Sequence, residues 1–402
     1  MHNIRKLTDN LTWIGVTDRR ISKFEKVYKL NSGMNYNSYF LDAGATVLFD
    51  TVDREVADTF FDNLKHCLKG RDLDYIVIHH MEPDHSATLA AVLDLYESSK
   101  IILNAKTLQF LSQFFPDRDY SERAVIVNDG DEMDLGSHRF KFVFAPMVHW
   151  PEVMMSFDET DGTLFSADAF GSYGAVNGSI FANDKDFASE LLNEARRYYT
   201  NIVGKYGMQT IAAINKVSSL DISMICPLHS YVWRKDIAKI IDCYKTWASY
   251  TPEEKGVFIL TGSIYGHTAN AAEVLMTELD NRGIKSVILD ATSADISDII
   301  AMAFKYSHIA IACATYNNGI YSPVEHAVRE LAAHGLTGRG FSVIENGTWA
   351  PASGKGLLAI IEGFKNCRVV GQTVTIKSSG NDASALAISG LAEAIREDIG
   401  NT

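Results

Sequence analysis

The octet His79-His80-Met81-Glu82-Pro83-Asp84-His85-Ser86 follows directly on the apolar run Tyr75-Ile76-Val77-Ile78. It packs three imidazoles and two carboxylates into a short loop behind a strand of buried type. A loop so placed can aim several side chains at one point, as a metal ion requires of its ligands. Successive side chains at a strand end point to opposite faces. His79 is therefore left out of the candidate ligand set, and His80, Glu82, Asp84 and His85 are kept. Three more polar residues occupy the same kind of context. His149 follows a strand ending near Ala145, Asp168 follows Leu164-Phe165-Ser166, and His229 follows Ile225-Cys226-Pro227-Leu228. Each alone reads as a structural histidine or a turn carboxylate. Together the seven fall at the ends of four strands and are expected to converge at one sheet edge.

Outward from this stretch, residues 39–42 and 46–49 flank the turn Ala43-Gly44-Ala45, the pattern of a hairpin. A helix is expected over 54–67, and further strands over 100–103, 139–144, 163–166 and 224–226. This mixture predicts a layered α/β arrangement. An amphipathic helix over 237–248 leads to a break at Tyr250-Thr251-Pro252-Glu253-Glu254-Lys255-Gly256. Beyond it the pattern is regular. Strands read at 257–260, 286–289, 308–312, 340–344 and 368–370, and helices at 268–282, 296–304, 323–334, 355–364 and 384–397. Five strands alternating with five helices predict a doubly wound parallel sheet. The division expected is 1–250 and 251–402.

In such a sheet, ligands bind beyond the carboxyl ends of the strands. The first strand of the second half runs into Thr261-Gly262-Ser263-Ile264-Tyr265-Gly266-His267-Thr268 and then a helix. Hydroxyls, backbone N–H groups and a helix N-terminus there suit a phosphate without a lysine. The loop is neither a Walker loop nor G-x-G-x-x-G. Two later loops are expected beside it: Ala314-Thr315-Tyr316-Asn317-Asn318-Gly319 and Asn346-Gly347-Thr348-Trp349. Tyr316 and Trp349 are placed to stack on a flat ring.

The length of 402 residues suits two or three domains. A net charge of -13 disfavours nucleic acid and anionic membranes as partners, and leaves room for a small redox protein. The five cysteines form no C-x-x-C pair, so reduced thiols in the cytoplasm are expected, with no rubredoxin or zinc-ribbon module. No apolar run reaches the length of a membrane span, and the first residues lack the apolar core of a signal peptide.

The set His80-x-Glu82-x-Asp84-His85, His149, Asp168 and His229 resembles the metallo-β-lactamase-like fold in its flavodiiron protein branch, the A-type flavoproteins. The later loops resemble flavodoxin and the C-terminal half of the same family, above all Thr315-Tyr316-Asn317-Asn318-Gly319. The third loop departs from the family's glycine-rich form by carrying Glu345-Asn346. The resemblance implies an α/β chain, with a metallo-β-lactamase-like αββα sandwich followed by a flavodoxin-like doubly wound sheet. It implies an oxidoreductase reducing O2 to water, NO to N2O, or both, with two non-haem irons and FMN as cofactors. His80, Glu82 and His149 would hold one iron, Asp84, His85 and His229 the other, and Asp168 would bridge. Hydrolytic branches carry a histidine where this chain has Glu82, and a carboxylate suits iron better than zinc.

The family also implies a head-to-tail homodimer or a dimer of dimers, and an external donor: a rubredoxin-like protein or a reduced deazaflavin. Tyr198 or Tyr199 is a candidate hydrogen-bond donor in the gas pocket, with helix-face packing as the alternative. Glu25 falls where many relatives have a pocket histidine. Two other classes compete. A dinuclear zinc hydrolase with an accessory flavodoxin-like domain leaves Glu82 and the flavin loops unexplained. A plain FMN electron carrier leaves the seven ligands unexplained.

Overall fold

The computed structural model describes residues 2–401. They pack as two compact units, residues 2–199 with 208–245, and residues 200–207 with 246–401.

The first unit is built on two facing sheets. One has seven strands in the order Arg5–Lys6, Leu11–Trp13, Tyr39–Asp42, Thr46–Phe49, Tyr75–Val77, Lys100–Leu103 and Ala124–Ile126. The other has five, Glu132–Leu135, His138–Phe144, Met154–Asp158, Thr163–Phe165 and Met224–Cys226. The expected hairpin is present, with Tyr39 opposite Phe49. Strand alternation sends Trp13, Tyr39, Leu41, Val47, Phe49, Val77 and Ile102 of the first sheet into one core with Leu135, Phe140, Phe142, Met154, Phe165 and Met224 of the second. Phe40, Leu48, Ile76 and Ile101 on the outer face of the first sheet are buried as well. A sheet covered on both faces is what an αββα layering produces. The helix Ala57–Leu68 buries Phe60, Leu64, Cys67 and Leu68, an apolar stripe at helical spacing.

The second unit carries a parallel sheet in the order Ser286–Asp290, Glu254–Gly262, Tyr306–Tyr316, Gly340–Asn346. Its last position is shared by two short strands. Arg368–Val369 pairs with the start of Gly340–Asn346, and Val374–Ile376 pairs with its end. This is the flavodoxin-like order 2-1-3-4-5. Helices cover both faces, His267–Asp280 and Asp382–Asn401 with one core, Ile296–Lys305, Ser322–Ala333 and Ser353–Ile361 with the other. The chain reverses direction between Glu254–Gly262 and Tyr306–Tyr316, which opens a crevice at their carboxyl ends. No helix among the described residues is long and apolar enough to cross a membrane.

Candidate metal centre and flavin site

The seven candidate ligands do converge, although not at the edge of one sheet. His80, Glu82, Asp84 and His85 follow Tyr75–Val77 of the seven-stranded sheet. His149, Asp168 and His229 follow His138–Phe144, Thr163–Phe165 and Met224–Cys226 of the five-stranded sheet. The sandwich brings these strand ends together, so the site spans both sheets. The sequence could not show this, because strand pairing is long-range.

The ligand atoms form two groups, His80 with Glu82, His149 and Asp168, and Asp84 with His85 and His229. In the first, His149 Nε2 lies 3.0 Å from Glu82 Oε2 and 3.1 Å from Asp168 Oδ2. His80 Nε2 lies 3.2 Å from Glu82 Oε2 and 3.4 Å from Asp168 Oδ2. In the second, Asp84 Oδ2 lies 3.3 Å from His85 Nε2 and 3.2 Å from His229 Nε2. Asp168 Oδ1 faces this group, 3.7 Å from His85 Nε2 and 3.6 Å from His229 Nε2. One carboxylate thus presents an oxygen to each group.

These residues fit a pair of cations. Both carboxylate oxygens of Asp84 and of Asp168 are buried and make no hydrogen bond among the described residues. The Nε2 atoms of His85 and His229 face each other at 3.0 Å. Buried carboxylates without hydrogen bonds and converging imidazole nitrogens are costly unless positive charge lies between them. Burial alone would raise the Asp168 carboxyl, but His149 and His80 hold it well below the usual carboxylate range. Burial opposes a charge on His80, yet Glu152 and Glu82 hold its pKa well above the histidine range.

Two ligands are aimed from behind. His80 Nδ1 donates to Glu152 Oε1 at 2.9 Å, and that oxygen also accepts the Met81 N–H at 3.0 Å. Asn104 Nδ2 donates to the Glu152 carbonyl at 2.6 Å. His229 Nδ1 donates to the Asn35 carbonyl at 2.8 Å. Each bond leaves Nε2 free to face the site. Sequence reasoning missed Glu152, whose only signal is a carboxylate three residues past His149. His79 stands outside the ligand groups, as expected, and is buried, bonded to Asp50 at 2.5 Å and Ser156 at 2.7 Å beside the stacked pair Phe49 and Phe165.

A cavity of about 570 Å³ opens over Glu82 and Asp84, with Phe24, Glu25 and Tyr36 among its walls. Burial and the neighbouring negative charge of Glu82 push the Glu25 carboxyl up to about 7. Neither Tyr198 nor Tyr199 is among that cavity's lining residues. Both are fully buried. Tyr198 lies 5.6 Å from the His229 ring, centroid to centroid, whereas Tyr199 packs against Tyr244 at 4.9 Å.

The second unit holds a cavity of about 750 Å³ at the carboxyl ends of its strands. It is lined by Ser263, Ile264, Tyr265, His267, Thr268, Ala314, Thr315, Tyr316, Asn317, Asn318, Asn346, Gly347, Thr348 and Trp349, as expected. Thr261, Gly266 and Gly319 do not line it. Thr261 is buried on its strand. Gly266, at φ +96°, turns the loop into its helix, its N–H bonded to Ser263 Oγ. Gly319 closes the turn in which Asn317 and Asn318 take left-handed conformations. Ala350 and Ser378 line the cavity unforeseen. Ser378 follows Val374–Ile376, a strand not read from the sequence, and is tied to Asn346 through both side-chain atoms and to Thr348 Oγ1. Glu345 turns away from the cavity. Its carboxylate accepts from Gly354 N at 2.9 Å and Thr375 Oγ1 at 2.8 Å. Trp349 and Tyr265 are 86% and 91% exposed, available to cover a flat ring.

The profile of the ODP family of beta lactamases matches residues 34–230. An uncharacterized protein of Methanocaldococcus jannaschii is 29% identical over 321 residues, 80% of each chain. An anaerobic nitric oxide reductase flavorubredoxin of Vibrio vulnificus is 30% identical over 329 residues, which are 80% of this chain and 66% of that one. The chain thus spans just under two thirds of that relative's length. The rubredoxin oxygen:oxidoreductase of Desulfovibrio gigas superposes with a TM-score of 0.93 at 24% identity, over 99% of both chains. The flavodiiron protein of Giardia intestinalis does so at 0.90 and 23% identity, again over 99% of both. At such identities the superpositions speak for the fold. The chain thus has the fold of the flavodiiron proteins, with a donor set that fits two cations in one unit and a flavodoxin-like crevice in the other.

Proposed function

We propose that the chain reduces O2 to water, NO to N2O, or both, at a non-haem diiron centre refilled through FMN. In this reading His80, Glu82 and His149 hold one iron, and Asp84, His85 and His229 hold the other. The observation that carries it is the bridging position of Asp168, with one oxygen toward each group. Two ferrous ions and one reduced FMN supply four electrons, the number that turns O2 into two waters, and the metal pair alone supplies the two that join two NO into N2O. The residues' own work is positional. Glu152 and the Asn35 carbonyl fix two imidazoles, and the carboxylates cancel metal charge in a buried site. Tyr198 is the tyrosine of its pair that we place at the gas pocket, since its ring meets His229. The flavin would lie in the crevice of the second unit, its phosphate at the loop 261–268 and its ring beside Trp349 and Tyr316.

We further propose a head-to-tail homodimer, or a dimer of two such dimers, so that one subunit's flavin serves its partner's metals. The donor would be a rubredoxin-like protein or a reduced deazaflavin. We place the protein in the cytoplasm, consistent with five cysteines that form no disulfide. The competing zinc hydrolase draws on the match to a beta-lactamase family. Metal analysis with a visible spectrum separates the two. Two irons and one FMN per chain support the present reading, whereas zinc in colourless protein supports the hydrolase. Anaerobic single-turnover assays of reduced enzyme with each gas decide between O2 and NO. Asp168→Ala should lose iron and gas turnover yet keep FMN, and normal turnover in that variant refutes the bridge.

A further inference from the structure

We propose that His267 is the counter-charge of the flavin's phosphate, so that the chain takes up a proton as it binds FMN and holds FMN less tightly as pH rises above neutral. The proposal rests on the FMN reading above. His267 is the first residue of the helix His267–Asp280, set there by Gly266 at φ +96°. It is exposed and lines the cavity of about 750 Å³. Beside it Thr268, only 3% exposed, lines the same cavity with a hydroxyl that has no hydrogen-bond partner among the described residues. A buried hydroxyl left unpaired at a helix N-terminus calls for a ligand. Ser263 Oγ accepts the Gly266 N–H at 3.0 Å, which leaves its own proton to donate.

Charge accounting singles out the histidine. A phosphate monoester carries about −1.5 to −2 charges at pH 7. The helix N-terminus offers about half a positive charge. No lysine, arginine, aspartate or glutamate is among the lining residues, and the ionisable side chains there besides His267 are Tyr265 and Tyr316. Charged groups on the surrounding elements are engaged or set aside. Asp290, at the end of the adjacent strand, is bonded to Thr292, and Glu345 is turned to Gly354 and Thr375. Lys377 precedes Ser378 but does not line the cavity, and the first turn of the helix carries no acidic residue. In a chain of net charge -13, the imidazole is the one wall group that can turn positive to meet the phosphate.

The sign of the pH effect follows from proton bookkeeping. Histidine exchanges its proton near neutral pH. A helix N-terminus disfavours a cation beside it, and a bound phosphate reverses that preference. The complex therefore binds more protons than the separate chain and flavin, the extra proton coming from solvent. Affinity must then fall as pH rises. The phosphate, with a second pKa near 6, is already largely a dianion above pH 7 and adds little to this slope. A loop of neutral donors alone would hold the dianion equally at pH 7 and pH 8.5. Selection of FMN over riboflavin, which lacks the phosphate, would weaken with pH by the same factor.

The test uses the iron-loaded full chain, stripped of FMN and titrated with FMN or riboflavin, with flavin fluorescence as the readout. FMN affinity should fall roughly five- to tenfold between pH 7 and pH 8.5, while riboflavin affinity stays level. His267→Asn keeps a hydrogen-bond donor without the charge, and should lose the slope by weakening FMN binding at pH 7. His267→Lys supplies a charge that does not titrate in this range, and should hold FMN equally at both pH values. Calorimetry at pH 7.5 in HEPES and in Tris should report net proton uptake on FMN binding for the unaltered chain and none for either variant. A level FMN affinity in the unaltered chain, the same slope in His267→Asn, or binding without proton uptake overturns the role of His267. If the unaltered chain binds neither flavin, the FMN reading itself falls and takes this inference with it.

Discussion

Glu152 touches no candidate metal position, yet the aim of His80 depends on it. Removing its carboxylate in Glu152→Ala leaves His80 Nδ1 and the Met81 N–H without their acceptor. Such partners typically contribute ~10–100-fold in metal affinity. We expect a loss of that size for the site containing His80, read by competition with a chelator, with FMN binding unchanged. Unaltered iron retention would show that the loop alone fixes the imidazole. The ligands themselves were legible because four of them crowd one octet and the rest sit at strand ends. Glu152 was not, since its role exists only once a loop 72 residues away in sequence closes onto it. The Asn35 carbonyl leaves no trace in a sequence at all, being a backbone atom. Glu345 was flagged as a departure within a flavin loop, but nothing local could show its carboxylate turned to Gly354.

At the scale of elements, that contact makes Glu345 an acceptor for the first turn of Ser353–Ile361. Loss of an N-terminal acceptor costs about 1 kcal/mol. Glu345→Ala should lower the melting temperature of the second unit accordingly, while an FMN titration moves little. A large loss of FMN affinity would mean that Glu345 does reach the flavin. The C-terminal helix Asp382–Asn401 offers a pH test. Arg368 and, against the cost of burial, His308 hold the Asp398 carboxyl below the usual carboxylate range, with His308 Nε2 donating to it at 2.6 Å. A carboxyl lowered in the folded state adds stability that is full above its unfolded pKa, ~3.9, and is lost as pH falls through the folded value. Melting temperature should therefore drop below about pH 4, and Asp398→Asn should flatten that limb. An unchanged acid limb would remove Asp398 from the account. Helices such as Ile237–Ala248 were readable from apolar spacing. Met154–Asp158 was not, because all five of its residues are buried and no alternation marks it. The strands of two or three residues before Tyr39 are too short to carry a period.

For the whole molecule, the change of pattern near Tyr250 reveals two architectures but not where each finishes. Residues 200–207 pack with the second unit although they precede the break, and the helix Ile237–Ala248 crosses from one unit to the other. Such a crossing depends on contacts distant in sequence, so no local window displays it. Each candidate site is nevertheless built wholly within one unit, the seven ligands in the first and the flavin crevice in the second. A ligand that binds only the folded form stabilises it by about 2.7 kcal/mol at a hundredfold excess over its Kd. In a unit of this size that corresponds to roughly 5–10 °C. Calorimetry of the loaded protein should therefore resolve two transitions. Chelating iron should lower one by that amount and leave the other, and stripping FMN should do the reverse. The assignment can be checked within the same scans, because Asp168→Ala should reproduce the chelator's effect and remain insensitive to it, while Glu345→Ala should shift only the FMN-dependent transition. If both ligands moved one shared transition equally, the two sites could not be treated as properties of separate units.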